Sequence, residues 1–140
     1  MCMKLFTYGL IVGVVLASTY ATAGSSTLIL SNKNDKSVNY FIKAEGDASY
    51  YRYMDYSSTK GAIQSNNATN LRLTYNGSQD SSDKKMVGIL TLVDKQRACE
   101  YTLSVVTTKG FDIQTRSGKS DCPNYQSFIN YNAGDKLEWQ

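Results

Sequence analysis

The chain has 140 residues with 15 basic and 12 acidic side chains, a formal net charge of +3, and its basic residues are scattered and not bunched. That balance gives no reason to expect a nucleic-acid partner or a strongly attracted anionic membrane. Histidine is absent, which removes the usual general base near neutral pH, the Ser-His-Asp and Cys-His arrangements and the commonest zinc ligand together.

At the amino terminus, Lys4 precedes a mostly apolar run from Leu5 to Ala17, and Ala21-Thr22-Ala23 supplies a small-x-small pattern before Gly24. This reads as a secretory signal peptide over 1–23, cleaved near Ala23/Gly24, followed by a single domain over 24–140. The apolar run is well short of the roughly 20 residues that span a bilayer. Cys2 lies before the run and has no lipobox triplet beside it, so no lipoprotein signal is read. Removing 23 residues of 140 leaves 117 with a net charge of +2, enough for one core and not for two. Export to an oxidising compartment, extracellular or periplasmic, predicts a disulfide between the two remaining cysteines, Cys99 and Cys122. With about 24 residues in the closed loop, chain entropy assigns it on the order of 3 kcal/mol.

The elements read in order as short strands. Leu28 to Leu30 is the first, closed by the turn-forming run Ser31 to Ser37. Val38 to Ala44 alternates, with Val38, Tyr40, Ile42 and Ala44 on one face. Glu45-Gly46-Asp47 then turns the chain into Ala48 to Tyr56, so 38–56 is expected to be a hairpin. A weak strand around Ala62 to Gln64 precedes Thr69 to Tyr75, where Leu71, Leu73 and Tyr75 share a face. Asn76 to Lys85 contains no apolar residue and is expected to be a solvated loop with nothing to anchor it.

Met86 to Val106 is the stretch around which the rest is organised, two apolar strands joined by the turn Asp94 to Arg97. In the first, Val87, Ile89 and Val93 oppose Met86, Leu90 and Leu92, so both faces should be covered. Gly88 leaves a gap for a large neighbour to fill. In the second, Cys99, Tyr101, Leu103 and Val105 form a core face. Phe111 to Thr115 follows a turn at Thr107 to Gly110, and Arg116 to Ser127 is a long loop carrying Cys122 and Pro123. Phe128 to Tyr131 and Leu137 to Trp139 close the chain. No mature segment sustains helical apolar spacing beyond two turns. Eight or nine short strands at this spacing predict an all-β protein, an antiparallel β-sandwich of about 8 strands with one disulfide; the alternative is a small β-barrel.

The functional reading rests on exclusion and on tyrosine. No phosphate-cradling glycine motif is present. Paired carboxylates remain open to a hydrolase, but Asp35, Glu45, Asp47, Asp80, Asp83, Asp94, Asp121 and Asp135 all fall in turns or loops, and neither Asp80-Ser81-Ser82-Asp83 nor Gly134-Asp135 has the ligand spacing of a calcium loop. No enzyme activity, cofactor or metal site is expected. Asn67-Ala68-Thr69 and Asn76-Gly77-Ser78 match the N-glycosylation pattern. Of 11 tyrosines, four lie between Tyr50 and Tyr56. On the expected hairpin, Phe41, Tyr51 and Tyr53 share a face opposite that of Tyr40, Ile42, Tyr50, Arg52, Met54 and Tyr56; such a row suits a binding surface, to which Arg52 could add a cation. The expected function is a secreted non-catalytic binding module contacting a glycan or protein through Phe41, Tyr51, Arg52 and Tyr53. The alternatives are a membrane-acting β-rich toxin using exposed Tyr and Trp139 at a lipid interface, a carboxylate-dependent hydrolase, and an inhibitor presenting the disulfide-pinned loop 116–127.

Overall fold

The computed structural model describes residues 23–140, so the expected leader, apart from Ala23, lies outside the described residues. Ten strands form two sheets packed over a shared core, the β-sandwich that the strand pattern predicts. Along the chain these are β1 (Gly24–Asn32), β2 (Val38–Ala44), the one-turn helix α1 (Ala48–Tyr51), β3 (Met54–Tyr56), β4 (Lys60–Ile63), β5 (Ala68–Tyr75), β6 (Lys84–Val93), β7 (Ala98–Val106), β8 (Gly110–Thr115), β9 (Gln126–Asn130) and β10 (Gly134–Trp139). One sheet has the order β10-β1-β5-β3 and the other β4-β2-β6-β7-β8-β9. Every pairing is antiparallel except β1 with β10, where Leu28 faces Asp135 and Leu30 faces Leu137 in parallel register.

The β6–β7 hairpin lies inside the six-stranded sheet, and Val87 to Leu92 are all buried, as expected of a strand covered on both faces. Its alternation is not the one that a regular strand predicts. A bulge between Met86 and Gly88 inserts one residue, and an inserted residue reverses the parity beyond it. Val87 therefore joins Leu90 and Leu92 in the core cluster, while Ile89, also buried, stands outside that cluster. On β7 the alternation holds: Cys99, Tyr101, Leu103 and Val105 are fully buried. Tyr56, from β3 of the opposite sheet, takes the space that Gly88 leaves, since a Cβ built on Gly88 would stand 3.3 Å from the Tyr56 hydroxyl and 3.0 Å from the Lys43 carbonyl.

The expected hairpin over 38–56 does not form. Gly46 adopts a φ of +113°, where a Cβ would stand 2.3 Å from the Met86 carbonyl oxygen, so the turn demands glycine. Asp47 then caps α1, its Oδ1 accepting the Ser49 N–H at 2.9 Å. After that turn of helix the chain enters the other sheet as β3 and pairs with Leu73 to Tyr75, then crosses at Ser57 to Thr59 to pair with β2 as β4. One edge of the sandwich is thus closed by a strand that changes sheets partway along.

Two loops are better fixed than their composition suggests. Ser81 anchors the polar loop 76–83: its N–H donates to the Thr107 hydroxyl at 2.9 Å, and its carbonyl accepts from that hydroxyl at 3.0 Å. Lys84 and Lys85 belong to β6 and not to the loop. Asn32, expected in a turn, ends β1 with no exposed surface; its side-chain amide donates to the Lys36 and Ile63 carbonyls and its Oδ1 accepts the Asn34 N–H. The long loop after β8 is pinned as expected by the Cys99–Cys122 disulfide, with a Cα–Cα distance of 5.6 Å, and by the Tyr101 hydroxyl donating to the Pro123 carbonyl.

Among the described residues, the Tyr56 hydroxyl is the one buried side-chain polar atom without a hydrogen-bond partner, and burial pushes its pKa upward. An unpartnered buried hydroxyl costs about 1–3 kcal/mol. Tyr56→Phe, which keeps the ring that fills the Gly88 gap, is therefore expected to leave stability unchanged or raise it by about 1 kcal/mol in urea unfolding; a loss of 1 kcal/mol or more would show that the hydroxyl is satisfied in solution.

Candidate functional site

The densest aromatic surface feature lies where α1, the start of β3 and the end of β5 converge. Tyr75 is the last residue of β5 and is buried; its inward position follows from the same alternation that buries Leu71 and Leu73. Tyr50, on α1, stacks on it with ring centroids 6.3 Å apart, and Tyr53 meets it edge-on, also at 6.3 Å. Both are arrangements that ring quadrupoles favour. Tyr53 is held by its own backbone, whose carbonyl accepts the Asn76 N–H at 2.9 Å, and the residue is 42% exposed.

Two cations sit against these rings. The Arg52 guanidinium is 5.2 Å from the Tyr53 centroid and the Lys85 ammonium 5.8 Å from that of Tyr50, within cation–π range. Beside the rings is a cleft of about 350 Å³, which Ser49, Asn76, Gly77, Ser78 and Asp80 also line. Gly77 is required by packing, because a Cβ there would stand 2.3 Å from the Tyr75 hydroxyl oxygen. Burial raises the Tyr75 pKa, and its neighbours Tyr50, Asp80 and Tyr53 add to the rise.

The structure brings Arg52 and Tyr53 together, and it separates the other two expected residues from them. Tyr51 is half-buried and packs against the core. Phe41 is 44% exposed, but it lies on β2 of the six-stranded sheet, paired with Lys60 and Thr91, whereas Tyr53 leads into the other sheet. The expected row Phe41–Tyr51–Tyr53 needed an uninterrupted strand over 48–56, and α1 breaks it. Sequence reasoning missed Tyr50 and Tyr75 as partners of Tyr53. The available signal was Asp47 two residues before Ser49, a helix-capping spacing, followed by Tyr75 directly before the Asn76-Gly77 turn.

A second polar cluster lies at the chain's far end. Trp139 has no exposed surface, which removes it from the lipid-facing role in the membrane-acting alternative. Its indole N–H donates to Asp94 Oδ2 at 3.3 Å, and the Arg97 guanidinium lies 4.0 Å from its ring centroid. Arg97 also donates to the carbonyls of Asp121 and Gln140. A cleft of about 490 Å³ runs beside the disulfide here, but its principal cation is fully engaged in holding three segments together. Nearby, the Tyr125 hydroxyl donates to Asp135 Oδ2 at 2.5 Å. Asn67 and Asn76 are both exposed. No group of three or more Cys, Asp or Glu residues arranged to hold a metal ion occurs among the described residues.

No family model matches the chain, and no curated protein or solved structure matches it either.

Both engaged aspartates report on acid stability. For Asp94, burial works to raise the pKa, but the Gln96 and Arg97 backbone N–H groups, the Trp139 indole and the Arg97 charge together hold it below the usual value. For Asp135 the hydrogen bonds from Ser127 and Tyr125 lower it, against a smaller opposing effect of burial. A carboxylate whose folded pKa is depressed contributes stability that is present above the unfolded value, about 3.9, and lost as pH falls through the folded value. Melting temperature is expected to be flat from pH 6 to about pH 4.5 and to fall below pH 4. In Asp94→Asn and Asp135→Asn the fall should be shallower, and an unchanged slope in both would remove these carboxylates from the cause.

Proposed function

We propose that the protein is an exported, non-catalytic carbohydrate-binding module whose ligand lies in the cleft beside Tyr50, Tyr53 and Tyr75. The observation that carries this is the pairing, in one cleft, of an exposed tyrosine, held edge-on against Tyr75 and by its backbone, with amide, hydroxyl and carboxylate residues. A sugar ring has the matching two-sidedness: its C–H face packs on an aromatic ring, and its hydroxyls require hydrogen-bonding groups at the rim. A site on fixed elements loses little freedom on binding. Export is supported by the charged, apolar and small-residue order of 1–23 and by the disulfide, which is favoured where thiols oxidise.

The test is a glycan array probed with the exported protein. Tyr53→Ala is expected to lower binding at least tenfold, about 1.4 kcal/mol, with an unchanged melting temperature, while Phe41→Ala leaves binding intact. Absence of binding to every glycan, or full binding by Tyr53→Ala, would overturn the reading. Amino-terminal sequencing of the exported material should begin near Gly24, and an intact leader would overturn the export half of the proposal.

A further inference from the structure

Resting on that reading of the cleft, we infer that Asp80 is its specificity-determining residue, selecting an uncharged sugar with adjacent hydroxyls and turning acidic sugars away, and that Thr107 is the positioning residue that holds Asp80 in place.

Among the described residues, Asp80 is the one charged group in the wall of the cleft; its other members are phenols, hydroxyls, an amide and a glycine. The nearby cations do not line it, since Arg52 and Lys85 lie against the ring faces of Tyr53 and Tyr50. A carboxylate presents two oxygens that accept hydrogen bonds from two neighbouring hydroxyls at once, as a neutral sugar offers. A uronic acid would instead set a second carboxylate against the first at close range, where like charges repel.

Selectivity of this kind needs a carboxylate with a fixed position, and a loop without apolar residues would not ordinarily provide one. Here the loop is held on both sides of Asp80. Upstream, the Asn76 N–H is bonded to the Tyr53 carbonyl and Gly77 lies under the Tyr75 ring. Downstream, Ser81 exchanges two hydrogen bonds with the fully buried Thr107, and its carbonyl also accepts from the Thr108 hydroxyl at 3.1 Å and the Thr108 N–H at 3.3 Å. The Thr107 carbonyl in turn accepts the Tyr131 hydroxyl at 2.8 Å, which ties the clasp to the turn between β9 and β10. Only residues 77–80 lie between the two anchors.

The experiment uses matched methyl glycosides that differ only at C6, a hydroxymethyl group in glucose, galactose and mannose and a carboxylate in the corresponding uronic acids. The wild-type protein should bind at least one neutral member ten times or more tightly than its acidic counterpart. Asp80→Asn, a surface change that preserves the fold, should shrink that ratio to about threefold or less by strengthening the acidic ligand and weakening the neutral one. Thr107→Val should shrink it as well, and Thr107→Ser, which keeps the hydroxyl, should restore it, a rescue that lost packing alone does not produce. Equal binding of both members by the wild-type protein, or an unaltered ratio in Asp80→Asn, overturns this inference while leaving the Tyr53-dependent site standing. An altered ratio in Asp80→Asn with no change in Thr107→Val removes Thr107 alone, and failure of every glycoside and array glycan to bind overturns the underlying reading instead.

Discussion

The contact between Tyr56 and the bare backbone at Gly88 sets how the two sheets meet at one edge. β3 is only three residues long, and it pairs with Leu73 to Tyr75 and, among the described residues, with no strand on its other side. Three residues of ladder are too few to hold a strand against the entropy of ordering it. Flanking hydrogen bonds at Tyr53 and Ser57 and the packing of Met54 help to hold it, and so does the large ring that it sends across the sandwich to the one position of β6 without a side chain. Tyr53 directly precedes this strand, so the placement of its ring beside Tyr75 follows from the same contact. The bulge one residue before Gly88 belongs to the same local solution, because it brings Val87 into the core at the point where Gly88 offers no side chain.

The opposite end of the sandwich is fixed by different means. There Trp139, the largest buried side chain, carries a polar N–H that must be satisfied, and Asp94 in the β6–β7 turn accepts it. Arg97 stacks on the same ring and reaches the carbonyls of Asp121 and Gln140, so one side chain ties the central hairpin, the disulfide-bearing loop and the final strand. The guanidinium suits this because it is planar and donates in several directions at once. With Cys99–Cys122 alongside, this end is cross-linked by covalent, aromatic and ionic means within a few residues. A long loop in that setting behaves as part of the scaffold.

How much of this was legible depended on whether a signal was periodic or singular. The alternations of β5 and β7, the β6–β7 turn and the disulfide follow from period-2 burial and from the two cysteines that lie within the expected domain, and these are read directly from the chain. Alternation alone sets Val87 with Ile89, whereas the structure sets it with Leu90 and Leu92, because a bulge leaves no mark in hydrophobicity. In the segment 48–56 the tyrosines favour a strand, while a single Asp47 cap and a positive φ at Gly46 favour a turn of helix. The cap and the glycine prevail because the glycine's tight approach to the Met86 carbonyl admits no continuation of the hairpin. Tyr53 reaches the cleft all the same, by a route other than the expected one, with Arg52 against its ring and outside the lining, while Phe41 and Tyr51 lie elsewhere with the elements that carry them.

That redistribution also bears on why the aromatic cluster sits at this corner. A row of tyrosines along one regular strand would place alternate rings on opposite faces, half of them in the core. The turn of helix breaks the period-2 rule, so Tyr50 and Tyr53, three residues apart, converge on Tyr75 instead of diverging from it. The polar wall comes from the loop that begins at the very next residue, Asn76, and is held at Ser81 by a buried threonine. An aromatic floor and a polar rim are thereby drawn from two segments that a flat sheet would keep apart. The irregular features of the fold, its bulge, its helical turn and its sheet-changing edge, are concentrated on the side that forms this cleft.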